Sequence, residues 1–140
     1  MNTSETEKIL DTCVKRVFHM VALHPLSEMP VSRTWRTDAS LTRDEALAHV
    51  AAGGNLALHC AKSNIAVVIA STPAAIAAMR SKGHAPMTVT PHGAAHYYFK
   101  VPPQLKGMPP QHSVVFGNLS EVQVLSGDRL VVIPPSRVLI

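Results

Sequence analysis

The sequence predicts an α+β fold: a mainly antiparallel sheet flanked by helices, in one domain over residues 1–140. Two observations carry this. Helix-start motifs and short apolar strands alternate through the first hundred residues, whereas the last third holds strand signals only. The punctuation is also dense, with 11 prolines and 7 glycines dividing the 140 residues into short elements. The chain is 46% hydrophobic and 16% charged, so it reads as globular rather than disordered.

In order, Ser4-Glu5-Thr6-Glu7 reads as a capping box, a hydroxyl at the N-cap and a glutamate at N3. Ile9, Leu10, Cys13, Val14, Val17, Phe18 and Val21 follow helical spacing, so the first helix is expected to run to about His19–Ala22, with His24-Pro25 ending it. Pro25 to Thr42 is irregular and holds the lone tryptophan, Trp35, between Arg33 and Arg36. Trp35 is expected to pin this loop to the core with the arginines in solvent; a nucleic-acid contact through Arg33 and Arg36 is the other reading of the same residues. Thr42-Arg43-Asp44-Glu45 is a second capping box, opening a short helix that Gly53-Gly54 stops.

Asn55 to Cys60 reads as a strand and Ala61–Asn64 as a turn. Ile65–Ala70 is a continuous apolar run suited to a central strand. Thr72 at the N-cap and Pro73 at N1 start a third helix, which Gly83 terminates. Met87–Thr90 is a short strand. Pro102–His112 is a proline-rich loop, followed by strands at Ser113–Phe116, Val122–Leu125 and Leu130–Ile133, with Ser126-Gly127-Asp128 as a hairpin turn between the last two. The sequence closes on an apolar Val138-Leu139-Ile140.

Charge is unevenly placed. Lys and Arg number 13 against 9 Asp and Glu, and the pI near 9.4 permits an anionic partner without demanding one. No carboxylate falls between Ala46 and Ser120, although that stretch carries Lys62, Arg80, Lys82, Lys100, Lys106 and six of the eight histidines. Cys13 and Cys60 form no CxxC pair and read as buried thiols of a reducing, cytoplasmic compartment. The polar, acidic N-terminus has no signal-peptide pattern, and no apolar run approaches the length of a membrane span. No metal or other cofactor is expected, since no cysteine joins the histidines at zinc-ligand spacing.

The stretch richest in chemistry is Thr90-Pro91-His92-Gly93-Ala94-Ala95-His96-Tyr97-Tyr98-Phe99-Lys100, where a Pro-His-Gly turn enters a strand holding three of the six aromatics. Strand alternation puts His96, Tyr98 and Lys100 on one face and Tyr97 and Phe99 on the other. By pattern alone this is a half-buried hairpin strand with His96 at its solvated start.

Five motifs in order resemble a known family. They are Trp35-Arg36-Thr37-Asp38-Ala39 before a Thr-Arg-Asp helix start, Asn55-Leu56-Ala57-Leu58, the Ile65–Ala70 strand, Thr90-Pro91-His92-Gly93-Ala94-Ala95-His96-Tyr97-Tyr98-Phe99, and Val131-Val132-Ile133-Pro134-Pro135-Ser136. Together they resemble the bifunctional DNA primase/polymerase (prim-pol) domain of bacterial, plasmid and phage replication proteins, in the archaeo-eukaryotic primase superfamily. The resemblance implies an RRM-like core and a role in DNA replication. It also implies that His96 contacts nucleotide phosphates; Lys100 on the same face and His92 in the turn are placed to assist, and Arg33, Arg36, Arg80 and Lys82 are the basic residues read here as candidates for further nucleic-acid contact.

The departures matter as much. Where the family carries Asp-x-Asp this chain reads Ala70-Ser71-Thr72, and the third acid position is Gln123. Relatives continue beyond the Pro-Pro-Ser motif, often into a helicase. Nucleotidyl transfer in such enzymes uses divalent metal ions, which prefer carboxylate oxygen. The expectation is a catalytically inactive prim-pol-like protein that binds nucleic acid or nucleotide. The alternative is an interaction module, an inhibitory or accessory subunit working with a replication protein or as a homodimer, for which the apolar tail is the argument.

Overall fold

A computed structural model describes residues 3–86, 88–89, 93–101, 111–116, 120–134 and 136, with backbone alone at 88, 111–116, 120 and 121. In chain order the elements are α1 (Thr3–Lys15), β1 (Met20–Leu23), α2 (Arg43–Ala51), β2 (Asn55–His59), α3 (Cys60–Ser63), β3 (Ile65–Ala70), α4 (Pro73–Ser81), β4 (Thr88–Val89), β5 (Ala95–Lys100), β6 (Gln111–Phe116), β7 (Ser120–Leu125) and β8 (Leu130–Ile133). The α+β class holds, but the strands form two antiparallel sheets rather than one. They belong to two compact units, residues 1–63 with 130–140, and residues 64–129. Among the described residues no helix is long and apolar enough to cross a membrane.

In the first unit β2 is central, between β1 and β8. All five of its residues are buried, as a strand with neighbours on both edges and apolar layers on both faces requires. Val21, Leu23 and Ala57 form a core cluster against which Trp35, Leu130 and Val132 pack, so Trp35 does pin its loop. Ser136 closes the far end of β2: its Oγ accepts from Leu56 N–H at 2.8 Å and donates to the Leu56 carbonyl at 3.0 Å. That gives the serine of the Pro-Pro-Ser motif a physical task, satisfying a buried strand's backbone where sheet pairing gives out.

The α2 capping box forms as its sequence dictates, with Glu45 N–H donating to Thr42 Oγ1 at 3.1 Å and Thr42 N–H to Glu45 Oε1 at 2.9 Å. The expectation for α1 fails at both ends. Ser4 lies inside the helix, which already includes Thr3. The helix stops at Lys15, and Met20–Leu23 is a strand paired with Asn55–Leu58. The stop is a Schellman motif: Phe18 N–H donates to the Cys13 carbonyl at 2.9 Å and Val17 N–H to that of Val14 at 3.1 Å. It places Val17 in the left-handed region at φ 58, a position usually given to glycine. Gly53 and Gly83 hold the same place after α2 and α4, at φ 94 and 84.

The second unit is a five-stranded sheet in the order β4-β5-β3-β7-β6, with β3 central as predicted. Helix α4 starts as expected, Thr72 Oγ1 accepting from Ala75 N–H at 3.1 Å and Pro73 at N1. It packs on one face of the sheet through Ala75 and Met79 against Ala70, Ala95, Tyr97 and Val122. The predicted hairpin at Ser126-Gly127-Asp128 is overturned, because β7 pairs with β3 and β6 while β8 pairs with β2 in the other sheet. Gly127, at φ 66, turns the chain, but a turn does not decide which strand the next one joins.

Candidate functional site

The site face is the face of the second unit's sheet that α4 leaves uncovered. On β5, Ala95 and Tyr97 point into the α4 core, so alternation sends His96, Tyr98 and Lys100 to the opposite face, as the sequence predicts. Residues directly across an antiparallel pair share a face. Ile69 of β3 lies opposite His96 on one side and Gln123 of β7 on the other. Three adjacent strands therefore carry the row His96–Ile69–Gln123. The next row is Tyr98–Val67–Leu125, and Lys100 faces Ile65 beyond it.

His96 is not at a solvated strand start, as the pattern alone suggested. It is only 8% exposed, and its Nδ1 has no hydrogen-bond partner among the described residues. Burial lowers its pKa, favouring the neutral imidazole at neutral pH. His96 thus offers a hydrogen bond rather than a charge. The cation of this face is Lys100, which is exposed at the end of β5.

The positions matched to the family's paired acids behave differently. Ala70 is fully buried in the α4 core, on the face away from His96, and Thr72 is the N-cap of α4. The β3 residue beside His96 is Ile69, so a carboxylate reaching this row would stand at 69. Neither reading supplies an acid. Gln123 does lie in the row, exposed, with an amide in place of a carboxylate.

The remaining predicted residues do not join this row. Arg80 is in the last turn of α4 and Lys82 is its C-cap, so both belong to the helix layer on the other face. Arg33 and Arg36 are exposed on the Trp35 loop of the first unit, with the Arg36 guanidinium carbon 4.2 Å from the centre of the Trp35 ring. His92 lies outside the described residues, as do the Val138–Ile140 tail and the side chain of Glu121.

No motif hints at a ring cluster that forms in the first unit. The His59 ring lies 5.2 Å from Trp35 and 5.8 Å from His19, edge-on to each. These residues are far apart in sequence, so only the pairing of β1 with β2 could have revealed them. Burial, with Lys62 and His59 nearby, lowers the pKa of His19, against a smaller opposing pull from Asp38. Cys13 and Cys60 are buried free thiols, and burial pushes the Cys13 pKa up to about 11.

The chain is α+β, with His96 beside the central strand of one antiparallel sheet and Ser136 at the end of a second, the placement the motif resemblance implies. The family model of the bifunctional DNA primase/polymerase N-terminal domain (Prim-Pol) matches residues 11–139, and the chain belongs to that family. No curated protein matches it.

Divalent metal ions, which the chemistry of such enzymes requires, do not fit the described donors of the His96 row. Hard cations take carboxylate oxygens, and the His96 row offers a buried imidazole, an aliphatic side chain and one amide. Among the described residues no three His, Cys, Asp or Glu side chains converge.

Proposed function

We propose that this prim-pol domain binds nucleic acid or nucleotide in a replication-associated role without catalysing nucleotidyl transfer. The observation that carries the reading is the His96–Ile69–Gln123 row, which keeps the histidine while neither of the other two positions holds a carboxylate, the nearest in sequence on β7 being Glu121, two residues from Gln123. Phosphoryl transfer depends on cations that neutralise charge between the attacking and leaving oxygens. Hydrogen bonding to a phosphate, and its attraction to a lysine, need no bound metal. Without acids, the 75 residues from Ala46 to Ser120 repel an anion less than a metal-free active enzyme does.

The two candidate residues have separable signatures. Lys100 contributes charge, so Lys100→Ala makes the slope of log affinity against log salt shallower by about one, the value for a single phosphate no longer neutralised. His96 is neutral, so His96→Ala weakens binding with little change in slope. The test is fluorescence anisotropy of labelled single-stranded DNA and of a primer–template, without metal, over a salt titration. Salt-dependent binding with these two signatures supports the reading. No binding at low salt overturns it and leaves the interaction module, an accessory subunit for a replication protein or a second copy of the chain, as the function.

A further inference from the structure

The first unit contains a cavity of about 120 Å³ that plays no part in the proposed function. It lies between β1 and the loop that follows. The loop is tied to the outer edge of β1 at both ends: Val31 N–H donates to the Ala22 carbonyl at 3.0 Å, Leu41 N–H to that of Met20 at 3.1 Å, and Met20 N–H to Ser40 Oγ at 2.8 Å. Between these ties the loop arches away from the strand. The arch is braced from within by the Asp38 carboxylate, which accepts from Ser32 Oγ at 2.5 Å and Thr34 Oγ1 at 2.7 Å. Trp35 is fixed against the core and the His59 ring. The cavity is therefore framed by a braced loop and strand, and exposed Asp38 and Ala39 in its lining leave it open to solvent.

Its walls combine an indole, aliphatic strand residues and three polar groups, His19, Ser32 and Asp38. The lining includes a buried nitrogen without a hydrogen bond: His19 is 9% exposed, and its Nε2 has no hydrogen-bond partner among the described residues. Cations stand close by, with Arg36 over the Trp35 ring and Lys62 Nζ donating to the Asp38 carbonyl at 3.3 Å. An indole and aliphatic walls, hydrogen-bonding groups in the same lining and cations nearby suit a nucleobase with its phosphate outside. Size excludes a purine: even a cavity of roughly 150 Å³ holds only a single benzene ring, and this one, at about 120 Å³ and open to solvent, takes one ring with part of the base outside. The acceptor narrows the choice further: a carboxylate accepts from the exocyclic amino group of cytosine and repels the O4 of thymine or uracil. Two hydroxyls leave about half of the Asp38 lone-pair sites available.

We propose that the cavity between β1 and the Trp35 loop is a binding site for a single-ring nucleobase, selective for cytosine, belonging to an unpaired nucleotide. It is separate from the His96 face and stands whether or not that face binds phosphate.

Trp35 is the only tryptophan in the chain and lines this cavity, so its emission reports on the site. The test titrates the protein with dCMP, dTMP and dAMP, and with oligo(dC) and oligo(dT), following that emission. The expected result is a saturable change with dCMP or oligo(dC), about tenfold tighter than with the thymine counterpart, and none with dAMP. A response to dCMP assigns the site to free nucleotide, and one confined to oligo(dC) assigns it to an unpaired strand. Ala39→Phe, an exposed lining position, fills the cavity and abolishes the response at an unchanged melting temperature. Asp38→Asn, whose amide also donates, raises thymine affinity relative to cytosine. No saturable response to any cytosine ligand, equal binding of dAMP, or a response that survives Ala39→Phe overturns the proposal.

Discussion

Placing an aspartate at Ala70 and at Gln123 tests which face of the sheet each position occupies. Ala70 is fully buried, and its neighbours are Ala75, Met79, Ala95, Tyr97 and Val122. An aspartate there buries an uncompensated charge, or forces its protonation, at a cost of about 3 kcal/mol or more. For a chain of this size ~3 °C accompanies each kcal/mol, so Ala70→Asp melts roughly 10 °C below the parent. Gln123 is exposed, and Gln123→Asp stays within about 0.5 kcal/mol. The pair Ile69→Asp with Gln123→Asp puts two carboxylates at directly paired positions beside His96, and is expected to gain stabilisation by Mn²⁺. At a hundredfold excess over its dissociation constant the ion would add about 2.7 kcal/mol. Circular dichroism melts with and without Mn²⁺ read all of these effects. An Ala70→Asp protein that melts like the parent, or Mn²⁺ stabilisation of Ala70→Asp with Gln123→Asp instead, refutes the face assignment.

Val17→Gly relieves a branched residue held at φ 58 after α1; with Val17 79% exposed little burial is lost, so the melting temperature should rise, by about 1 kcal/mol of stability, and a fall would contradict the strain argument. Gly54→Ala drives a methyl group into the His49 ring, whose Nε2 lies 2.8 Å from the Leu23 carbonyl; urea denaturation should show a loss of about 1–3 kcal/mol, partly restored when His49→Ala is added. Burial holds the pKa of His19 and His96 below 6.5, so in mildly acidic solution the unfolded chain takes up protons that the folded one does not. Their contribution to stability is therefore complete above about pH 6.5 and declines as the pH falls toward the folded pKa values. Urea midpoints should drop from pH 7.5 to 5.5, by less in His96→Gln, and a midpoint that rises over that range would contradict the burial of neutral imidazoles.

What the sequence disclosed, and what it hid, follows from range. The Thr42 capping box, Pro73 at N1 and the glycines after α2 and α4 were legible because each acts within a turn of its own residue. The end of α1 was not. Val17 carries no stop signal, and Val21 continues the helical spacing, so only the pairing of Met20–Leu23 with β2 makes that segment a strand. The partner of β8 was hidden for the same reason, since Leu130–Ile133 pairs with Leu56–His59, far away in sequence. Period-two alternation was enough to place His96, Tyr98 and Lys100 on one face. It could not reveal that His96 is buried, because burial depends on what lies beyond the strand. Nor could motif matching tell Ala70 from Ile69 as the position beside His96, because one residue of register exchanges the two faces of a strand.

The most direct test of the central claim measures binding and synthesis on one preparation. Anisotropy of a labelled primer–template is recorded in EDTA and again in Mn²⁺ or Mg²⁺, and the metal-containing samples are then given deoxynucleotides and assayed for extension. The account predicts salt-sensitive binding in EDTA that metal does not strengthen, weakened by His96→Ala, with no extension in either metal. Metal-dependent extension that disappears in Glu121→Gln would contradict it, since a carboxylate on β7 would then be supporting the chemistry that the His96 row is proposed to have lost.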